Sequence, residues 1–184
     1  MALLRGKPLL VWTKEALEPL CREVWLSLRE PSQPEAAFAG IFTRVVWDAF
    51  PGEGPLVGLL AGLRELSGGE GLLVVSCDQP LVRRALLEEL ISRFHREGPW
   101  AVFCLDERER PEPFPGVYSP ILKTSLEREI LSGQRALRKW LRKLPSEKIL
   151  GLPPRVWYPL DKEKLSFRNI NSREDLWRIE RLLR

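Results

Sequence analysis

Residues Leu72-Leu73-Val74-Val75-Ser76 form an apolar run of strand length that passes straight into Cys77-Asp78-Gln79-Pro80. An apolar run this short, closed by a proline turn, predicts a strand buried on both faces, as in a parallel sheet. Parallel neighbours need crossover helices between them, and the flanking sequence supplies helical spacing. Before the run, apolar residues recur at Leu56, Leu59, Leu60, Leu63 and Leu66, and Gly58 and Gly62, four apart on one face, would let that helix approach a strand or ligand closely. After it, residues 81–94 read as a helix with its polar residues outward. Strands are predicted over residues 23–28, 43–47, 100–105 and 155–158, with a short one at Val117-Tyr118. Further helices start at Pro8 and cover residues 122–131, 135–144 and 173–183. The charged, proline-rich stretch 106–115 reads as a loop. Strands alternating with helices predict an α/β fold: three layers, a mostly parallel sheet, helices on both faces. No repeat or composition break divides the chain, so residues 1–184 are read as one domain.

Composition narrows the function classes. Lys and Arg number 29 against 25 acids, a net charge of +4. That is too mild to call for nucleic acid, but it tolerates small anions. The three cysteines, Cys21, Cys77 and Cys104, are scattered, which argues against a zinc site and fits a reducing, cytoplasmic setting. His95 is the only histidine, which leaves little room for a triad or a His-rich metal site. No apolar run approaches the roughly 18 residues that span a bilayer, so no membrane association is expected.

Four segments carry chemistry. Asp78 follows the buried strand, and ligands of open α/β sheets sit beyond the carboxyl ends of strands. Its carboxylate suits Mg²⁺ with phosphate and water completing the shell, or it caps the helix that follows. Asp48 likewise ends a strand before Pro51-Gly52-Glu53-Gly54-Pro55-Leu56-Val57-Gly58. Glycines there let backbone N–H groups approach an anion at a helix start, and a carboxylate matches the N1–H and exocyclic amine of guanine. An ordinary Pro-Gly turn is the simpler alternative. Asn169 and Asn171 are the only asparagines. Their spacing of two puts both on one strand face, while Asn171 or Ser172 can cap the last helix with Glu174 or Asp175. The basic run from Gly133 to Lys143 reads as a solvated face or as a rim for an anionic substrate.

Taken in order, these pieces resemble the molybdenum cofactor guanylyltransferases, the MobA-type family. Gly6-Lys7-Pro8-Leu9 resembles its G-K-P-L. Residues 51–59 resemble its P-G-x-G-P-L-x-G-L, and Cys77-Asp78-Gln79-Pro80 its C-D-x-P. Gly133-Gln134-Arg135-Ala136-Leu137 resembles its G-x-R-[ST]-L, and residues 167–176 its F-x-N-[IV]-N-[ST]-x-E-[DE]-L. The resemblance implies a nucleotide-diphospho-sugar-transferase-like Rossmannoid fold. It also implies transfer of GMP from GTP to molybdopterin with Mg²⁺, releasing pyrophosphate. On that pattern Asp78 holds Mg²⁺ and is catalytic, Asp48 reads guanine, and Gly54, Pro55 and Gly58 shape the nucleotide turn. Asn169 and Asn171 face the molybdopterin, and Ser27 stands where relatives place a nucleotide-proximal asparagine. Other molybdenum-cofactor proteins are expected partners.

One departure shapes the expectation. The family pattern opens with a strand and a loop, L-A-G-G-x-S-x-R-M-G-x-D-K, that cradles the triphosphate, and Met1 falls at its lysine. Without that segment, two strand edges are expected to lack a neighbour, and triphosphate should be held weakly for want of charge-assisted contacts. The first expectation is that the protein starts further upstream and carries this segment; the alternatives are a non-enzymatic relative that binds cofactor or a partner, and a nucleotidyltransferase for another acceptor. Slow pyrophosphate release from GTP and molybdopterin is the expected assay result for the sequence as it stands. Turnover equal to that of a protein carrying the glycine-rich segment would show the cradle to be dispensable.

Overall fold

The computed structural model describes residues 2–48, 50 and 54–183. Pro51, Gly52 and Glu53 of the proline-glycine turn lie outside the described residues.

Chain order runs β1 (Leu3–Leu4), β2 (Lys7–Pro8), α1 (Leu9–Leu17), β3 (Trp25–Leu28), β4 (Arg44–Trp47), α2 (Pro55–Arg64), β5 (Leu72–Val74) and α3 (Arg84–Glu97). It continues with β6 (Ala101–Leu105), β7 (Pro111–Tyr118), α4 (Lys123–Leu131), α5 (Leu137–Leu141), β8 (Ile149–Leu152), α6 (Pro154–Trp157) and α7 (Arg173–Leu182). The main sheet has the order β5-β7-β6-β8. β6 and β8 are parallel, while β7 runs antiparallel to both β5 and β6. β3 and β4 form a separate parallel pair, and β1 and β2 a small hairpin.

Alternation along the strands builds three layers. Ala101, Phe103 and Tyr118 point into a core with Leu56, Leu60, Leu126, Ile130 and Trp140, from α2, α4 and α5. Val102, Cys104 and Val117 point the other way, onto Leu86, Leu90 and Phe94 of α3 and Trp157 of α6. Period-two side chains place alternate residues on opposite faces, so helices cover both sides of the main sheet, as the sequence predicts. The polar tips of the large aromatics find partners: Trp140 Nε1 donates to Ser125 Oγ at 3.1 Å, Trp157 Nε1 to the Leu105 carbonyl at 2.9 Å, and the Tyr118 hydroxyl to the Pro113 carbonyl at 2.6 Å. A third cluster, Leu4, Leu9, Ile170 and Ile179, ties the N-terminal hairpin and α1 to α7.

Three elements differ from expectation. The stretch read as a loop contains most of β7. Pro111, Pro113 and Pro115 are tolerated because β5 pairs only with residues 116–118, and the pairing with β6 shifts register between Phe103 and Cys104. Proline cannot donate to a ladder, and little of the ladder needs it there. Residues 154–157, rich in strand formers, are the helical turn α6, because Pro154 sits at its first position and pre-sets helical φ. β8, a short strand around Gly151, carries too weak a pattern to be read. β5 itself is only half-buried, and among the described residues it pairs with β7 alone.

β7 depends on Gly116. A Cβ there would lie 2.6 Å from the Pro113 carbonyl oxygen and 3.0 Å from the Tyr118 ring. Gly116→Ala is expected to cost about 1–3 kcal/mol through overpacking. In urea denaturation the midpoint should fall with the slope unchanged; an unmoved midpoint would show that β7 can yield.

Candidate active site

The polar residues singled out in the sequence gather beyond the ends of β3, β4 and β5. Asp48 directly follows β4, and its backbone N–H donates to the Leu28 carbonyl at 2.9 Å, so it is pinned at the end of both strands of the pair. Ser27, one residue from the end of β3, is exposed. Gly58, in the second turn of α2, lies over both: a Cβ there would stand 3.1 Å from Ser27 Oγ and 3.5 Å from Asp48 Oδ1. A side chain at this position would occupy the space into which those two groups point.

Gly54 precedes α2 with φ of +120°, a conformation that favours glycine, and Pro55 supplies the first helical residue. The Arg135 carbonyl would be 3.5 Å from a Cβ on Gly54, so the Gly133–Leu137 motif reaches the same helix start. The rest of that basic segment is largely engaged at the surface, with Arg138 paired to Glu112 and Lys143 to Glu129.

Asp78 stands four residues past β5. It does not cap the next helix, since α3 begins at Arg84 with no side-chain cap. Asp78 Oδ1 is buried and has no hydrogen-bond partner. Its backbone carbonyl accepts from Ile170 N–H at 2.8 Å, which brings the asparagine segment alongside. Ile170 is buried while Asn169 and Asn171 on either side are exposed. The two amides therefore share an outward side, although the segment is not a strand. Ser172, not Asn171, caps α7, in a reciprocal capping box with Asp175. Both asparagine side chains are thus spared from capping.

Sequence reasoning missed Gln79. It is buried, its Nε2 donates to the Phe114 carbonyl at 3.4 Å, and its Oε1 has no partner. A glutamine between an aspartate and a proline in a turn of apolar surroundings was the available signal. Two adjacent orphan acceptors are costly in a protein interior unless a cation or donor meets them. Among the described residues no three His, Cys, Asp or Glu side chains converge as a metal cluster would. A cation here would therefore rest on the Asp78 carboxylate, with a ligand and water supplying the remaining oxygens, the pattern in which Mg²⁺ commonly binds beside phosphates.

Electrostatics separates the acids from the thiol. Burial raises the pKa of Asp48, and the charge of Arg29 only partly opposes it. The Cys77 thiol, although exposed at the surface, has its pKa raised by desolvation and then by the carboxylates of Asp78 and Glu35, which favours the thiol over the thiolate. His95 lies exposed on α3, against the edge of Phe94. Among the described residues, no helix is long and apolar enough to cross a membrane.

Comparison with known proteins gives these residues a setting. Residues 1–149 match the family described as the MobA-like NTP transferase domain. A molybdenum cofactor guanylyltransferase from Ectopseudomonas mendocina is 30% identical over 180 residues, covering 94% of this chain and 78% of the relative. A probable one from Methanothermobacter thermautotrophicus is 30% identical over 164 residues, covering 84% and 76%. Among solved structures, molybdopterin-guanine dinucleotide biosynthesis protein A from Archaeoglobus fulgidus superposes with a TM-score of 0.83 at 29% identity, covering 99% of this chain and 88% of that one. A 4-diphosphocytidyl-2C-methyl-D-erythritol synthase from Anaerococcus prevotii shares the fold, with a TM-score of 0.71 at 14% identity, covering 98% and 91%.

The raised pKa of Asp48 has a measurable consequence. A carboxyl whose folded pKa exceeds its unfolded value loses stability as pH rises through that interval. Asp48→Asn should match the parent in acid, below the carboxylate range, and melt higher at neutral pH. Melts at both pH values test this; a variant no more stable at neutral pH would mean that burial does not burden the charge.

Proposed function

We propose a reaction on the premise that this chain belongs to the MobA-like NTP transferase domain family. It is a nucleotidyltransferase of the guanylyltransferase type, and the reading advanced here is transfer of GMP from GTP to the terminal phosphate of molybdopterin. An acceptor phosphate oxygen attacks the α-phosphorus in line, the bond to the β-phosphate oxygen breaks, and pyrophosphate leaves. The nucleophile is already ionised, so no general base is needed, and positioning with charge stabilisation carries the catalysis.

The observation that carries this reading is the orphan carboxylate oxygen of Asp78 beyond the end of β5. Asp78 would hold Mg²⁺, which when bound neutralises charge on the phosphates. Gln79 Oε1, the adjacent orphan, would accept from a water of the same shell. Asp48 accepts from guanine N1–H and its exocyclic amine, a donor pair that adenine does not present. Ser27, Gly54, Pro55 and Gly58 leave room for the nucleotide against α2. Asn169 and Asn171 offer amides to the pterin of molybdopterin, and their freedom from capping supports that role. The nucleotide and molybdopterin are thus the small-molecule partners, with other molybdenum-cofactor proteins as suppliers or recipients.

Asp78→Asn should weaken Mg²⁺-dependent GTP binding and leave the melting temperature near that of the parent. Equal Mg²⁺ dependence in variant and parent by calorimetry would remove Asp78 as the ligand. Asp48→Ala should abolish the preference for GTP over ATP and CTP. An unpaired donor pair costs about 1–3 kcal/mol, or roughly 5–150-fold in affinity. A parent that binds CTP as tightly as GTP would favour a transferase for another base and acceptor, which shares Asp78 but not the guanine contact.

A further inference from the structure

Guanine presents three groups in a row along one edge: the O6 acceptor, the N1–H donor and the exocyclic amine. The contact proposed for Asp48 meets the two donors and leaves O6 unread. Adenine and cytosine carry an amine where guanine carries O6. A side chain that only donates, placed beside Asp48, therefore separates guanine from both.

The β3/β4 pair brings such a side chain there. Its parallel register ends at Leu28 opposite Trp47, and the Asp48 N–H donates to the Leu28 carbonyl at 2.9 Å. Arg29 and Asp48 are thus the next residues of two strands that leave the ladder about 5 Å apart. The turn after β3 fixes Arg29, since its backbone N–H and that of Glu30 both donate to Gln33 Oε1. The Arg29 side chain is 44% exposed, with Nη2 4.0 Å from Glu30 Oε1, so the guanidinium stands at the surface. Its charge acts on the Asp48 carboxylate, yet burial outweighs it and the Asp48 pKa stays raised. The two charges are neighbours that do not cancel.

Ser27 lies in the same space, since its Oγ and Asp48 Oδ1 both face the position over Gly58. It lacks the selectivity: a hydroxyl rotates to donate or to accept, so it suits O6 and an amine alike. A guanidinium has only donors. Against an amine it sets donor on donor, a repulsive element aimed at the wrong base.

We propose that Arg29 is a specificity-determining residue that donates to guanine O6, so that Arg29 and Asp48 together read the whole edge of the base as donor, acceptor and acceptor. This assignment rests on the reading in which Asp48 accepts from guanine, and it adds a second side chain that reads a different atom. The contact is charge-assisted, and such bonds are shorter and stronger than neutral ones. A site built to donate to O6 rejects a base that lacks it, because the donor is then left without its partner.

The test measures binding of GTP, ITP and the triphosphate of 2-aminopurine riboside to the full chain with Mg²⁺, by competition calorimetry. ITP keeps O6 and N1–H but lacks the exocyclic amine, whereas 2-aminopurine keeps that amine and lacks O6. In Arg29→Ala the preference for GTP over the 2-aminopurine nucleotide should shrink by roughly 5–150-fold, the discrimination of a good base contact. The preference for GTP over ITP should stay as in the parent, because both carry O6. Arg29→Lys, which keeps the charge and a single donor, should fall between parent and Arg29→Ala, and both variants should melt near the parent because the side chain is at the surface. Equal weakening of all three nucleotides in Arg29→Ala would assign Arg29 to the phosphates and overturn the base contact, as would no change in any of them. A parent with no preference for GTP over either analogue would overturn the Asp48 reading itself. A parent that loses its preference over ITP in Asp48→Ala, but keeps its preference over 2-aminopurine in Arg29→Ala, would leave Asp48 in place and remove Arg29 alone.

Discussion

The close approach of α2 to the strands beneath it is the contact on which the rest depends. This helix packs on β3, β4 and β5, which belong to two sheets not hydrogen-bonded to each other. Gly58 and Gly62, four residues apart on one helical face, let it sit against Ser27 on one sheet and Leu72 on the other. Leu56, Leu60 and Leu63 on the same helix then bury completely against the main core. A helix with ordinary side chains at the two glycines would have to rise from one strand or the other. The spacing between the β3/β4 pair and the main sheet would change with it.

That close approach was legible in the sequence, because two glycines at helical spacing within an apolar face have few other uses. So were the strand at residues 72–74, though only half-buried rather than covered on both faces, the carboxylates beyond the strand ends, and the helix–strand alternation, each being local and periodic. What escaped was set by long-range context. β7 carries three prolines in a strand that has neighbours on both sides, and it is possible only because one neighbour stops short and the other shifts register. α6 has strand-forming residues turned helical by Pro154 and by the burial of Trp157 against Phe167, their rings 4.9 Å apart. Gln79 looks like any turn residue until its carbonyl oxygen is found buried without a donor. In each case tertiary context overrode local preference.

The candidate site stands where local rules are broken. Asp78 and Gln79 each bury an acceptor with no partner, and Asp48 keeps a carboxylate in surroundings that disfavour its charge. None of these helps the fold, and each is an arrangement that a purely structural turn would avoid. Buried Asp161 offers a contrast: its two oxygens accept from Leu165 N–H at 3.0 Å and Ser166 N–H at 2.8 Å. The guanidinium of Arg83 also lies 3.8 Å from Asp161 Oδ1, so neither oxygen of this buried carboxylate is left without a partner.

The two halves of the site also belong to different sheets. Ser27 and Asp48 are carried by β3 and β4, whereas Asp78 and Gln79 follow β5 and lean on β7 through Phe114 and on the segment before α7 through Ile170. Among the described residues no strand ladder joins the halves; α2, packed on β3, β4 and β5, does. On the proposed reading, in which Asp48 reads the base and Asp78 holds the metal, their separation matters for in-line transfer, because misplacement of about 1 Å can cost a hundredfold in rate. Among the described residues, that spacing rests on the close contacts of α2 with Ser27 at Gly58 and with Leu72 at Gly62.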